Sequence, residues 1–369
     1  MVFMTDLQQL LGRYVEDGTI PGAVGLIARG DDVAEVAVLG VQAVGGAPMT
    51  SDSIFRLASI TKPITAAALM MLVDDGRLAL DDPVARWLPE LAAPVVVRDP
   101  AGPADDVLPA NRPITVFDLL TNQAGWGFPS RFDYPALQLL FPVQPDGRHP
   151  QQFPPVDQWM AALSRVPLLY QPGESWLYDT CSAIQGVLIA RVTGVSLPEA
   201  LSSRVFEPLG MVDTGFVVPA SSRPRFTSYY RAGLELVDGP DGEWSTMPAF
   251  PLGSGGLAGT AFDWLSFARM LLSGSLLSRD AVRLITTDHT TPAQREIGAL
   301  FLEGDGWSFG GSVSPATGRY GWVGGTGTSA HIYPSSGGVA ILLAQVGVDS
   351  PEPAQWLRDF WRYSDLALA

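Results

Sequence analysis

The chain has 369 residues, 47% of them apolar, 31 prolines, a single cysteine and a net charge of -15. The length predicts one catalytic domain over 1–369 built as two lobes, and the apolar content is ample for a packed core. The acidic balance argues against nucleic acid and anionic surfaces as partners, no apolar run approaches the ~20 residues of a membrane span, and lone Cys181 allows no internal disulfide.

In chain order, Met1 to Asp17 lacks the layout of a secretory signal and reads as an amphipathic helix with Leu7, Leu10, Leu11, Tyr14 and Val15 on one face. A cytoplasmic address is the expectation. Two apolar runs, Ala23 to Ala28 and Val33 to Leu39, flank Arg29-Gly30-Asp31-Asp32 and predict a hairpin. Helices are predicted over Ile64 to Asp74, over Val116 to Leu120 behind a Thr115 cap, over Ser182 to Val192 up to Gly194, and over Ala261 to Leu272 up to Gly274. Strands return at Ser329 to Tyr333 and Val339 to Val346, followed by a helix with Trp356, Phe360 and Trp361. The implied fold is α/β of the α+β kind: a mostly antiparallel sheet closed by both ends of the chain and flanked by helices, plus a helical lobe. The α/β lobe is expected over about 1–58 and 240–369, the helical lobe over about 59–239.

Lysine occurs once, at Lys62, three positions after Ser59, whereas the other 22 basic residues are arginine. Pro63 suits a first helical turn, so Ser59 and Lys62 are expected on one face near a helix start. A serine hydroxyl needs a neighbouring base to act as a nucleophile. A lysine desolvated in an apolar pocket has its pKa lowered and can take or relay that proton. A second constellation, Pro172-Gly173-Glu174-Ser175-Trp176-Leu177-Tyr178-Asp179-Thr180, offers Tyr178 as a phenol that takes the Ser59 proton and returns it to a leaving group. The third is Gly321-Trp322-Val323-Gly324-Gly325-Thr326-Gly327-Thr328-Ser329, whose glycines allow backbone amides to approach a ligand and complete an oxyanion hole.

Ser-x-x-Lys, then Pro-Gly before a tyrosine, then Gly-Thr-Gly before a late strand resembles the serine β-lactamase and penicillin-binding-protein superfamily, and within it the class C β-lactamase-like branch with its family VIII carboxylesterases. The resemblance also covers Pro21-Gly22, Asp118-Leu119-Leu120-Thr121, Glu207-Pro208-Leu209-Gly210 and Gly255-Gly256-Leu257. It implies a β-lactamase/transpeptidase-like fold, Ser59 as the acylated nucleophile, Lys62 and Tyr178 as its proton-handling pair, and the amides of Ser59 and Thr328 as the oxyanion hole. Phosphate-loop and dinucleotide motifs are absent and the three histidines are not spaced as a metal cluster, so no cofactor and no metal are expected.

Two departures bear on substrate. The family's Tyr-x-Asn is Tyr178-Asp179-Thr180, lacking the amide that would hold an acylamino side chain, and Gly325 stands where lysine or histidine normally precedes Thr-Gly. A charge-assisted hydrogen bond to a substrate carboxylate contributes about 1.5–3 kcal/mol, so its loss disfavours anionic substrates about ten- to a hundredfold and leaves neutral esters little affected. The stretch from Trp126 to Trp159, with Phe128, Phe132, Tyr134, Phe141 and Phe153, is a candidate lid or wall for an apolar group, and Trp126 and Trp322 join Gly325, Thr326, Gly327 and Thr328 as candidate substrate-binding residues.

Gly306-Trp307-Ser308-Phe309-Gly310 matches a nucleophile elbow, but no helix follows it and no acid lies between Ser308 and the only later histidine, His331. The expected activity is therefore hydrolysis of small to medium neutral carboxylic esters, a small-molecule substrate, by a serine carboxylesterase. A β-lactamase or D-alanyl-D-alanine carboxypeptidase, acyl transfer to another acceptor, and a non-catalytic ligand-binding relative stand as alternatives. Neither composition nor motif fixes an oligomeric state.

Overall fold

The computed structural model describes residues 6–348, 350 and 352–369. Seven antiparallel strands form the main sheet: β1 (Gly22–Arg29), β2 (Asp32–Gly40), β3 (Gly306–Trp307), β4 (Ser312–Val313), β5 (Tyr320–Gly324), β6 (Thr328–Tyr333) and β7 (Gly338–Ala344), in the order β2-β1-β7-β6-β5-β4-β3. Both ends of the chain close it, because β1 pairs with β7 from Ala23 opposite Ala344 to Arg29 opposite Gly338. The hairpin and the late strands thus lie where periodicity predicts them, while β5 lies in the glycine-rich run, for which no strand is predicted.

Alternation along β1 divides the core. Val24, Leu26 and Ala28 point into the large cluster beneath the sheet, whereas Ala23 and Ile27 face the opposite side. That opposite side is covered by α1 (Leu7–Glu16) and the C-terminal helix, through Leu7, Leu11, Trp356 and Phe360. Gly25 lets α1 pack closely there, since a Cβ would lie 2.7 Å from a Leu11 methyl and displace it. The expected N-terminal helix is therefore present over Leu7–Glu16, and residues 1–5 lie outside the described residues.

On the inner side runs α2 (Lys62–Asp74), buried at every position from Lys62 to Leu72. A helix apolar on all faces belongs inside a core, which explains why amphipathic periodicity says little about it. Alongside it lies α3 (Thr180–Thr193), stopped by Gly194 in the left-handed region. Another helix, α4 (Ala261–Ser273), packs on the inner face of β7, and α5 (Gln355–Leu368) is the C-terminal helix. Among the described residues no single helix is long and apolar enough to cross a membrane.

The short strand Phe55–Arg56 pairs with Ala258–Gly259 immediately before Ser59. Its Arg56 is buried, with the guanidinium against the rings of Phe226 and Trp244, and it donates through Nε to Asp238 at 3.0 Å and through Nη1 to the Thr227 carbonyl at 2.6 Å. Removing one member of a buried pair strands the other charge, which costs about 3–5 kcal/mol. Asp238→Ala is expected to lower the unfolding free energy by about that amount in urea titration. A loss below about 1 kcal/mol, the level of an exposed pair, would show that this anchor is dispensable.

Candidate active site

Ser59 is reached through a sharp backbone turn. The Leu57 N–H donates to the Leu257 carbonyl at 2.8 Å, Ala58 then takes φ +46°, and a 3-10 turn over Ala58–Thr61 runs straight into α2. The helix thus begins at Lys62, two residues earlier than the apolar run suggests. Above this turn, Thr326 donates its hydroxyl to the Arg56 carbonyl at 2.6 Å, and Thr328 donates to the Leu57 carbonyl at 2.8 Å. Gly324 comes so close to the same segment that a Cβ would stand 2.5 Å from the Leu57 oxygen.

Lys62 has no solvent exposure, and its Nζ lies 2.8 Å from Ser59 Oγ, 2.7 Å from the Ser254 carbonyl, 2.7 Å from Asp179 Oδ1 and 3.3 Å from the Tyr178 hydroxyl. The Tyr178 hydroxyl is 2.9 Å from Ser59 Oγ and accepts the indole N–H of Trp322 at 2.9 Å. Reciprocal 3.0 Å backbone bonds with Phe128 fix Tyr178, and its ring stacks on Phe301 with centroids 4.7 Å apart. Ser59, Lys62, Tyr178 and Trp322 are therefore brought together from three distant parts of the chain.

The electrostatics differ from the expectation for Lys62. Burial alone lowers its pKa, but the adjoining Asp179 carboxylate and Tyr178 outweigh burial and hold the lysine pKa above its usual value. In the sequence Asp179 is only the middle residue of Tyr178-Asp179-Thr180, whose departure from Tyr-x-Asn falls at Thr180. In the structure it is the counter-ion of Lys62, with φ +81° and its second oxygen accepting the Gln144 amide at 2.6 Å.

Beside these groups opens a cavity of about 480 Å³ lined by Ser59, Tyr178, Asp179, Gln144, Arg148 and Trp322, with Phe128, Phe132, Phe141 and Phe301 forming an apolar wall. Three of those phenylalanines come from the proline- and aromatic-rich stretch, which contributes to the wall as expected, whereas Phe301 was not anticipated. Trp126 does not reach the cavity: it is buried and donates its indole N–H to the Val166 carbonyl at 2.8 Å.

The third motif also divides. Trp322, Val323 and Gly324, on the part of β5 that extends past its pairing with β4 at Tyr320 and Gly321, line the cavity together with Gly325 just after the strand. Thr326, Gly327 and Thr328 do not line it. Gly327 forms the turn to β6 at φ +91°, and the two threonines are buried anchors for Arg56 and Leu57, which corrects the placement of an oxyanion amide at Thr328. Ser59 and Gly325 both line the cavity, and among the described residues neither backbone N–H donates to a protein acceptor.

Two further corrections concern charge and amides at the cavity. Gly325 is not a place without a cation, because the Arg148 side chain lies over it, 3.3 Å from where a Cβ would stand, bound to Asp146 through Nε and Nη2. Nor is the cavity without an amide, since Gln144 lines it with Oε1 unpaired among the described residues. Ser308 is buried and donates to the Ile285 carbonyl at 2.6 Å, while His331 pairs with Ser329, so these two form no dyad.

A family model described as Beta-lactamase matches residues 7–359, and the chain belongs to that family. It is 36% identical over 365 residues to Protein Rv1367c of Mycobacterium tuberculosis, covering 92% of this chain and 89% of that protein. It is also 30% identical over 325 residues to Esterase EstB of Burkholderia gladioli, covering 82% and 78%. Among solved structures, EstCE1, a hydrolase with promiscuous acyltransferase activity, superposes with a TM-score of 0.82 over 97% of both chains at 23% identity. Unliganded simvastatin synthase LovD from Aspergillus terreus does so with 0.77 over 97% of this chain and 96% of that one at 21% identity, so both likenesses establish the fold. This protein is a serine hydrolase of the beta-lactamase fold.

The left-handed conformation at Ala58 is unfavourable for any residue with a Cβ. Ala58→Gly is expected to raise unfolding stability by roughly 0.5–1 kcal/mol, after allowing for the extra freedom of glycine in the unfolded chain. A fall in Tm would show that the turn before the serine is unstrained.

Proposed function

We propose that the protein is a carboxylesterase that cleaves neutral esters carrying an apolar acyl or alcohol group through an acyl-enzyme on Ser59. The observation that carries this reading is the wall of Phe128, Phe132, Phe141 and Phe301 beside Ser59, in a cavity whose cations each have a carboxylate partner: Asp179 for Lys62 and Asp146 for Arg148. Apolar groups gain by entering such a wall, whereas a substrate carboxylate must compete with an aspartate already in place. The 30% identity to Esterase EstB agrees with an ester substrate.

In the proposed sequence, Tyr178 acts as the base and takes the Ser59 proton on its oxygen while Oγ forms a bond to the ester carbonyl carbon. The carbonyl π pair moves to its oxygen, held by the amides of Ser59 and Gly325. As the carbon–alkoxy bond breaks, the Tyr178 proton passes to the departing alkoxide. A water then repeats the sequence on the acyl-enzyme, giving its proton to Tyr178, and the acid leaves as Ser59 recovers its hydrogen. Lys62 and the Trp322 N–H, both directed at the Tyr178 oxygen, stabilise the charge that develops there. An alcohol in place of that water gives transfer instead of hydrolysis, a second reading favoured by the apolar wall, which gives an alcohol's carbon chain somewhere to lie.

Mass spectrometry after treatment with a fluorophosphonate tests the nucleophile. One adduct on Ser59 is expected, lost in Ser59→Ala; an intact protein that takes no adduct there contradicts the mechanism. In Tyr178→Phe, kcat on a p-nitrophenyl ester should fall about 10²–10⁴-fold, as general acid–base catalysis predicts, with KM little changed. Near-normal kcat would remove Tyr178 from proton transfer.

A further inference from the structure

Asp179 sits directly after Tyr178 in a conformation that L-residues rarely adopt, φ +81°, and this turn carries its carboxylate back to the buried Lys62. One oxygen lies 2.7 Å from Nζ and the other accepts the Gln144 amide at 2.6 Å, so both are engaged. The remaining partners of Nζ are the Ser254 carbonyl, which can only accept, and the two hydroxyls of Ser59 and Tyr178.

Hydrogen-bond counting alone does not fix the state of Lys62. An ammonium can donate to Ser254, Asp179 and Ser59, while a neutral amine can donate to the first two and accept from Ser59. Charge separates the cases: a neutral amine leaves the Asp179 carboxylate against a fully buried group without a cation, which is strongly unfavourable. The titratable groups facing Nζ are Asp179 and Tyr178, both from the turn before α3. On α3 behind them, burial pushes the Cys181 thiol up to about 12, so it stays neutral, and Arg148 at the cavity mouth is bound to Asp146.

Resting on the carboxylesterase reading, we propose that Asp179 is a positioning residue that keeps Lys62 as an ammonium throughout the working pH range, so that Lys62 serves as a fixed hydrogen-bond donor and Tyr178 alone accepts the Ser59 proton. The proton count then closes on one residue. Tyr178 gains the serine proton in acylation, gives it to the leaving alkoxide, and repeats this with water, while Lys62 begins and ends each half-reaction with three protons. Gln144 holds the far carboxylate oxygen so that the near one stays on Nζ.

Because Lys62 is the only lysine, protein grown with [ε-13C]lysine gives one lysine side-chain resonance, and its protonation can be read without turnover. In the wild type that resonance is expected at the ammonium position at every pH where ester hydrolysis is measurable. In Asp179→Asn, a near-isosteric change to a residue that tolerates positive φ, it should move to the neutral-amine position at lower pH. The basic limb of kcat/KM should move in the same direction, and kcat/KM should fall about ten- to a hundredfold, the equivalent of one charge-assisted hydrogen bond. Asp179→Glu should restore part of both. A neutral amine in the wild type at the pH of greatest activity overturns the proposal, as does an Asp179→Asn protein with an unmoved lysine titration. Should that variant fail to fold, the wild-type titration alone still decides. A wild type whose ammonium persists but which hydrolyses no ester instead contradicts the carboxylesterase reading and leaves the ion pair standing.

Discussion

A buried cation organises this molecule. Lys62 has no contact with solvent, so its ammonium is tolerable only where polar partners surround it, and those partners come from the turn before α2, the turn before α3 and the Ser254 loop. Each must be placed to within a few tenths of an ångström for the charge to be satisfied. Satisfying the lysine therefore also sets the distances between Ser59 and Tyr178. The same condition accounts for the backbone strain at Ala58 and Asp179, two of the five non-glycine residues with positive φ among the described residues and the two that adjoin the serine and the tyrosine.

The sheet supplies the rigid side of this arrangement. Thr326 and Thr328 hold the carbonyls of Arg56 and Leu57, and the Arg56 side chain is clamped between Phe226, Trp244 and Asp238, so the segment that delivers Ser59 is fixed on both sides. β5 then runs past β4 and offers Trp322 to the Tyr178 hydroxyl and Gly325 to the cavity. The opposite wall comes from the loops and short helices around Phe128, Phe132, Phe141 and Phe301, whose shape can vary without disturbing the sheet. A fixed proton-handling edge facing a variable apolar wall suits a fold that serves several acyl-transfer reactions.

Much of this was legible in the sequence, for identifiable reasons. Ser59 and Lys62 stand out because a lone lysine one turn from a serine, ahead of Pro63, leaves little freedom in placement. The hairpin at Gly30-Asp31 and the helix stops at Gly194 and Gly274 follow from local turn chemistry. What stayed hidden depends on contacts across the chain. β5 is masked by glycines that are needed for close approach to Leu57 and β6 rather than for a loop. Thr328 resembles an oxyanion residue by position, yet its hydroxyl is spent on a backbone carbonyl. Asp179 is only the unassigned middle residue of Tyr178-Asp179-Thr180 until the turn at φ +81° brings it to Lys62, and Arg148, about 180 residues before Gly325 in sequence, supplies a cation that no local pattern reveals.

The reading as a neutral-ester hydrolase rests on a balance of charge: cations at the cavity are present but matched, and the wall beside the serine is apolar. Its most direct test is kcat/KM for p-nitrophenyl butyrate and for nitrocefin on the same wild-type preparation. A large preference for the uncharged ester is the expected result. A preference for nitrocefin, whose carboxylate would have to be received at Arg148 or Lys62 despite their aspartate partners, would contradict the account and make the protein a β-lactamase in activity as well as in fold.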